Sequence, residues 1–507
     1  MQDLYTIIMT KLEILQKINF GERIAEEETD NLEKYFVETE NWRRVFAGEV
    51  DVVYGAKGAG KSAIYAILDK NREKLFENNI LLTTAENPRG DTVFEGLSVE
   101  PPTGQIEFVR LWKLYFLIIT VLEFKEWGLK NQYFDELKEI LEDSSLIPKQ
   151  KGLKAILKAC RTYIGRLMNI ESIQPGVDLN EATGLPIGIN LKIAFREASD
   201  SEFLAGIKSI DYLYELLEKA LEESKFILWI AVDRLDVAFA ENVELETNAL
   251  KALFKVYRDL VPLNHLKIKI FLRDDIWNRI VEDGFREASH ITKTLTITWN
   301  KESIVNLLSR RLLNNNEIIE SFNLNKEEIL ADIEEQERLF YRLFPIQIEV
   351  GERKPKTIDW VIGRLRDGKN LVAPREIIHL FNEGRQEQVK KIHNGQKDLE
   401  GENLIGRNAF KSAQEIVSQV RLVQTIYAEY PSLKPYIEKL EGQKTEQKID
   451  NLAEIWSINN DEARLIVKKL VEIGFFEEKG DKQNTRYWVP FIYRSTLKMV
   501  QGSVDKN

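Results

Sequence analysis

The sequence predicts an α/β fold: a parallel sheet covered by helices, then a helical region, then a smaller terminal module. Three observations carry this. Short apolar and β-branched runs alternate with helical patterns between Glu49 and Trp299, and such alternation implies a parallel sheet buried on both faces. A glycine-rich turn, Gly55–Ser62, joins the first of these strands to the first helix. From Lys301 to about Ile392 the strand signals fade and helical periodicity takes over.

In chain order, residues 1–45 form a helical, acidic N-terminal segment, and 46–300 form the sheet domain with a helical insertion at about 125–205. Glu49–Tyr54 is a β-branched strand, Ser62–Phe76 one helix and Ile80–Thr84 the next strand. Residues 106–170 are helical, with a break at Ile147-Pro148. They include the most apolar run, Leu111–Phe124, which carries Lys113 and Glu123 and falls short of the about 20 apolar residues of a membrane span. It reads as a buried helix, and no membrane partner is expected. Residues 174–200 are loop or loop with a hairpin, Asp211–Glu223 an amphipathic helix, Phe226–Val232 the most apolar strand, and Leu250–Leu260 a helix. Lys267–Leu272 is a strand, 275–288 a helix and Thr294–Trp299 the last β-run. Residues 301–400 are helical, and the polar stretch 393–405 reads as a linker into the module 401–507. There, helices at Tyr436–Leu440, Asn451–Trp456 and Asp461–Ile473 precede a hairpin of Phe475–Glu478 with Arg486–Val489, the layout of a winged helix.

The net charge of −11 excludes capture by nucleic acid or anionic membrane through the overall field. The single cysteine, Cys160, leaves no intramolecular disulfide and fits a cytoplasmic protein without a secretion signal. His265, His290, His379 and His393 are scattered without zinc-ligand spacing. No nuclease, protease or deaminase constellation is visible.

Gly55-Ala-Lys-Gly58-Ala59-Gly60-Lys61-Ser62 satisfies the full phosphate-loop pattern, strand before and helix after. Glycines let the backbone turn successive N–H groups toward phosphate oxygens, and the helix start presents free N–H groups to the same anion. Gly55, Gly58, Ala59, Gly60, Lys61, Ser62 and Ala63 are therefore the nucleotide-binding set. The expected ligands are ATP and Mg²⁺, with Lys61 on the β- and γ-phosphates and Ser62 on the metal. The apolar strand ending in Asp233 places a carboxylate at the edge where open α/β sheets bind ligands, so Asp233 is the metal residue. Asp236, three residues on, either aligns the attacking water or pairs with Arg234 or caps the next helix. The end of the next strand places Arg273 or Asp274 near the same edge, and Arg273 is either a γ-phosphate sensor or a solvated surface arginine. Arg279 and Arg286 follow it, as fingers toward a neighbouring subunit or as solvated arginines. Pro374-Arg375 opens a helix, and Arg375 is either a lid residue over the nucleotide or an ordinary helix-start arginine.

The order of these motifs resembles an uncharacterised family of bacterial P-loop ATPases allied to the AAA+ and STAND groups. Tyr35–Thr39 before the loop, Asp233–Phe239, Thr298-Trp-Asn300, Leu307–Arg311 and Pro374-Arg375 carry that resemblance, from about Phe20 to about Arg494. The layout is also similar to archaeal origin-recognition ATPases, which join an AAA+ core, a helical lid and a winged helix. The resemblance implies phosphate and Mg²⁺ roles for Lys61 and Ser62, a metal role for Asp233, a strand-end sensor at Arg273 and a lid sensor at Arg375. AAA+ proteins usually carry two adjacent acids where Arg234 follows Asp233 here, which leaves the catalytic base open and points to slow turnover. Some relatives in these groups serve antiviral defence.

Two functions follow, beside a weaker third, a nucleotide-stabilised scaffold with no turnover. One is an ATP-hydrolysing switch that assembles with itself or with a partner protein. The other is a nucleotide-dependent DNA-binding protein of initiator type, with Arg464 and Lys468 on the third helix and Lys479, Lys482 and Arg486 on the wing. Glu462, Glu472, Glu477 and Glu478 work against the second and favour a protein-contact module.

Overall fold

The computed structural model describes residues 9–22, 28, 32–85, 105–147, 156, 158–160, 162–164, 193–194, 199–200, 206–233, 243–282, 284–396, 399, 401–481 and 484–503. They form two compact units. One comprises Arg44–Tyr54 and Ile64–Thr296; the other comprises Met1–Arg43, Gly55–Ala63 and Ile297–Asn507.

The first unit is built on a parallel five-stranded sheet. Its strands are β1 (Val52–Gly55), β2 (Ile80–Ala85), β5 (Ile227–Val232), β6 (Leu266–Arg273) and β7 (Thr294–Thr296), while β3 (Ile193–Ala194) and β4 (Lys208–Ser209) pair apart from it. The order is β2-β5-β6-β1-β7, with Leu81 opposite Leu228, Val232 opposite Ile270 and Val52 opposite Thr294. β5 reads Ile-Leu-Trp-Ile-Ala-Val and is buried throughout save its first residue, as a central parallel strand covered on both faces must be. The helix Gln105–Glu126 is apolar all round and packs into the core beneath the sheet, from Phe108 to Phe124. Among the described residues no helix is long and apolar enough to cross a membrane.

Two expected helices divide. The stretch expected as Ser62–Phe76 forms Lys61–Lys70 and Arg72–Glu77. Asn71 lies between them, its side-chain amide donating to the Ile67 carbonyl at 2.8 Å, a local bond that competes with helix propagation. The stretch expected as 275–288 forms Asp274–Glu282 and a 3₁₀ turn, Arg286–His290. Gly284 stands between them at φ +82°, outside helical space.

The second unit is mainly helical. Phe20, Phe344, Phe381 and Phe410 pack tilted or edge-on at centroid distances of 5.2–6.5 Å, drawing the N-terminal segment, the region after Ile297 and the helix Arg407–Arg421 into one core. Arg311 anchors the N-terminal segment through a buried two-pronged pair with Glu28, at 2.9 and 3.0 Å. The stretch read as a linker carries Leu404 and Ile405, both fully buried. Gly368 docks on the terminal module: its N–H donates to the Gly474 carbonyl at 2.7 Å, and a Cβ there would lie 2.2 Å from the Phe476 carbonyl oxygen. The terminal helices Lys434–Glu438, Ile449–Trp456 and Asn460–Glu472 match expectation to within two residues. So do β9 (Glu477–Lys479) and β10 (Arg486–Trp488), paired antiparallel. Two further strands, β8 (Lys444–Gln447) and β11 (Val500–Ser503), complete a sheet of order β11-β8-β10-β9.

Candidate functional site

β1 runs straight into the glycine-rich turn, and the helix Lys61–Lys70 leaves it. Gly58 and Gly60 adopt φ of +80° and +104°, left-handed conformations open to glycine at little cost. Gly58 has a second constraint. A Cβ there would lie 3.1 Å from Cβ of Arg375 and 3.4 Å from Cβ of Ala373. The start of the helix Pro374–His393 therefore rests on the loop. Across the turn, the Trp299 indole N–H donates to the Ala59 carbonyl at 2.8 Å, and the Ala59 N–H donates to Ala56 at 3.1 Å.

The Lys61 ammonium curls over this turn and donates to the carbonyls of Gly55 and Ala56, at 2.8 and 3.0 Å. Phosphate oxygens offer the same group charged acceptors, which form stronger hydrogen bonds than neutral carbonyls. Ser62 occupies the second position of the helix, where N–H groups lack intrahelical partners. The turn thus fits a polyphosphate: positive-φ glycines, an overhanging ammonium, a helix start and an arginine-bearing helix against its outer side.

In the sheet unit, Asp233 directly follows β5 and is 8% exposed. The Tyr65 hydroxyl donates to the Ala85 carbonyl at the end of β2, at 3.1 Å. Burial first, and the Asp233 carboxylate second, push the Tyr65 phenol above its ordinary range. Asp233 therefore shares the carboxyl edge with Tyr65, a neighbour that no motif marked. Arg273 ends β6, where its guanidinium donates twice to Asp275, at 3.0 and 2.7 Å. Arg279 is paired with Glu246, and Arg286 is exposed. Arg234, Asp236 and Lys482 lie outside the described residues. Among the described residues no group of three or more His, Cys, Asp and Glu side chains is placed to hold a metal on its own.

A cleft of about 240 Å³ opens beside the glycine turn, with Lys57, Trp299, Asp367, Glu376 and Arg421 in its wall. Arg421 donates to Glu376 at 2.9 Å, both side chains being almost wholly buried. The Glu376 Oε2 atom has no hydrogen-bond partner among the described residues. Burial raises the Asp367 carboxyl, although the Leu371 N–H opposes the shift. Lys57 pairs with Glu429 of the terminal region. Sequence reading missed Trp299, Glu376, Arg421 and Glu429 as site neighbours; only the position of Lys57 inside the motif could have drawn attention to it.

No protein-family model and no curated protein matches the chain. Among solved structures, a Walker-type ATPase of Pyrococcus abyssi aligns over 95% of this chain and 97% of its own, at 12% identity and TM-score 0.38. The Aeropyrum pernix ORC1 protein in complex with DNA aligns over 94% and 96%, at 10% identity and TM-score 0.38. The Aeropyrum pernix ORC2 protein in its ADPNP–ADP complexes aligns over 94% and 93%, at 10% identity and TM-score 0.39.

Proposed function

We propose that this chain binds ATP with Mg²⁺ at Gly55–Ser62 and hydrolyses it slowly, as a nucleotide-dependent switch. One observation carries the reading: a complete phosphate-loop sequence closes β1 of a parallel sheet with both inner glycines at positive φ and a lysine overhanging the turn. Loop N–H groups and Lys61 hold the β- and γ-phosphates. By the sequence motifs, Ser62 and Asp233 would supply the Mg²⁺ ligands, and the metal would neutralise phosphate charge. Arg375, seated on Gly58, carries the helical lid's contact with the phosphates. Arg273 serves as the strand-end sensor, for which it must exchange Asp275 for phosphate. The base is Asp236 or another acid, and Arg234 standing where a second adjacent acid is usual supports slow turnover. Titration calorimetry with ATP and Mg²⁺ tests the reading. Lys61→Ala is expected to weaken binding by at least about tenfold, since hydrogen bonds to charged groups contribute about 1.5–3 kcal/mol. Unaltered affinity in that variant removes the assignment.

The second reading is nucleotide-dependent DNA binding through a winged helix, and β9–β10 after the helix Asn460–Glu472 supports that module. Three of its basic side chains, however, are matched by acids: Lys468 with Glu472 at 3.5 Å, Lys479 with Glu477 at 3.3 Å, Arg486 with Glu446 at 2.7 Å. Leu465 on the outer face of that helix is 66% exposed. This surface suits a protein partner better than phosphate. Fluorescence anisotropy with duplex DNA at two salt concentrations separates the readings, because binding through phosphates falls steeply as salt rises.

A further inference from the structure

The helix Arg407–Arg421 continues directly into a π-helical turn, Leu422–Tyr427. π-Turns inside α-helices are rare and gather at functional sites. Here the turn separates two grips. Before it, Arg421 holds Glu376, the neighbour of Arg375 on the helix that rests on Gly58. After it, Glu429 holds Lys57, inside the glycine turn itself. One continuous strap thus grasps both the loop and the helix against it, and both grips are ionic. The Lys57 and Glu429 side chains are 32% and 17% exposed, so the pair is partly shielded from water and salt.

We propose that Lys57–Glu429 is a nucleotide-sensitive latch, in which phosphate in the turn competes with Glu429 for Lys57 and loosens the strap. This rests on the phosphate-binding reading above. Two charge effects act in the same direction. A polyphosphate offers Lys57 a stronger anionic partner than one carboxylate, and it repels Glu429. Linkage then makes the competition reciprocal: nucleotide weakens the latch by the same factor by which the latch weakens nucleotide binding. The Leu422–Tyr427 turn is the element that yields, since its two ends are the tethered points.

The test uses the full chain and reads two quantities. ATP affinity with Mg²⁺ is measured by calorimetry, and amide hydrogen exchange is followed across residues 422–427. In the wild type, ATP is expected to speed exchange in that turn. Glu429→Gln removes the charge at constant shape. It is expected to raise ATP affinity about five- to tenfold, within the usual range of coupling between sites, and to speed exchange before nucleotide is added. Lys57→Gln is expected to speed exchange without gaining affinity. Adding Glu429→Gln to it is expected to speed exchange no further and to raise ATP affinity less than it does in the wild type, the sign of a direct pair in a double-mutant cycle. Should Glu429→Gln fail to fold, the exchange response of Lys57→Gln to ATP decides: a response equal to wild type overturns the latch. Unchanged affinity and exchange in Glu429→Gln overturn it as well. A wild-type chain that binds no ATP fails at the phosphate reading and takes the latch with it, whereas binding without coupling sinks the latch alone.

Discussion

Gly58 is where backbone and function constrain one residue together. Its φ of +80° excludes most side chains without strain, and the Arg375 Cβ stands 3.1 Å from where a methyl group would sit. Gly58→Ala therefore meets two costs. The left-handed conformation costs roughly 1–2 kcal/mol for an L-residue, and the methyl pushes against the start of the helix Pro374–His393. The expected outcome is a melting temperature lowered by several degrees and an ATP affinity reduced with it. Gly128 provides the control, since it has φ +68° and a methyl group added there would meet nothing within 4 Å among the described residues; Gly128→Ala is expected to lower stability but leave nucleotide affinity unchanged. Equal effects on affinity in both variants would show that the Arg375 contact is immaterial. The loop residues were legible because phosphate binding needs glycines and a lysine at fixed spacing. Trp299 and Tyr65 were not, because a single aromatic hydrogen bond to a carbonyl leaves no pattern in the chain.

At the scale of elements, the sheet has two chemically distinct ends. The carboxyl end carries Asp233 and Arg273. At the other end, beside the start of β1, a buried cluster joins Lys269 to Asp51 at 3.0 Å and Tyr257 to Asp51 at 3.1 Å. The Lys269 ammonium lies 4.7 Å from the Trp229 ring centroid. Burial pulls Lys269 down to about 8 from its usual 10.5, although Asp51 opposes the shift. The sign follows: between those values the unfolded chain binds more protons than the folded one, so stability rises with pH. Lys269→Met is expected to flatten that slope. Urea unfolding at pH 7.5, 8.5 and 9.5 measures it, stopping below the range where tyrosines held protonated by burial act in the opposite sense. An undiminished slope in Lys269→Met would assign the effect elsewhere. The same scale shows why some elements escaped the sequence. Most helices and the sheet strands announce themselves by apolar spacing. β8 reads Lys-Thr-Glu-Gln, with no apolar residue at all. At its buried positions, Thr445 and Gln447 donate to the Gly502 and Lys444 carbonyls, while Gln447 Oε1 has no hydrogen-bond partner among the described residues, and binary patterning cannot see a buried polar strand.

For the whole molecule, the open matter is whether one chain suffices for turnover. Fast hydrolysis in P-loop enzymes draws on an arginine at the γ-phosphate, worth about 10³–10⁵ in rate. Arg273 is turned onto Asp275 and Arg279 onto Glu246, so each must give up a carboxylate before it can serve. Arg286 opens the 3₁₀ turn after Gly284 and is exposed, which suits a group offered to a second copy of the chain. If it serves there, turnover rises more steeply than in proportion to protein concentration, and Arg286→Ala lowers the rate by about 10³-fold while leaving ATP affinity intact. Mixing supplies the stricter check. Lys61→Ala protein is expected to bind ATP poorly but still offers Arg286, and Arg286→Ala protein is expected to bind ATP but offers no finger. Together they are expected to recover turnover that neither shows alone, and light scattering should record a larger mass with ATP and Mg²⁺ than with ADP. An Arg286→Ala rate equal to wild type, or a mass constant across the apo, ADP and ATP states, would confine the chemistry to the single chain.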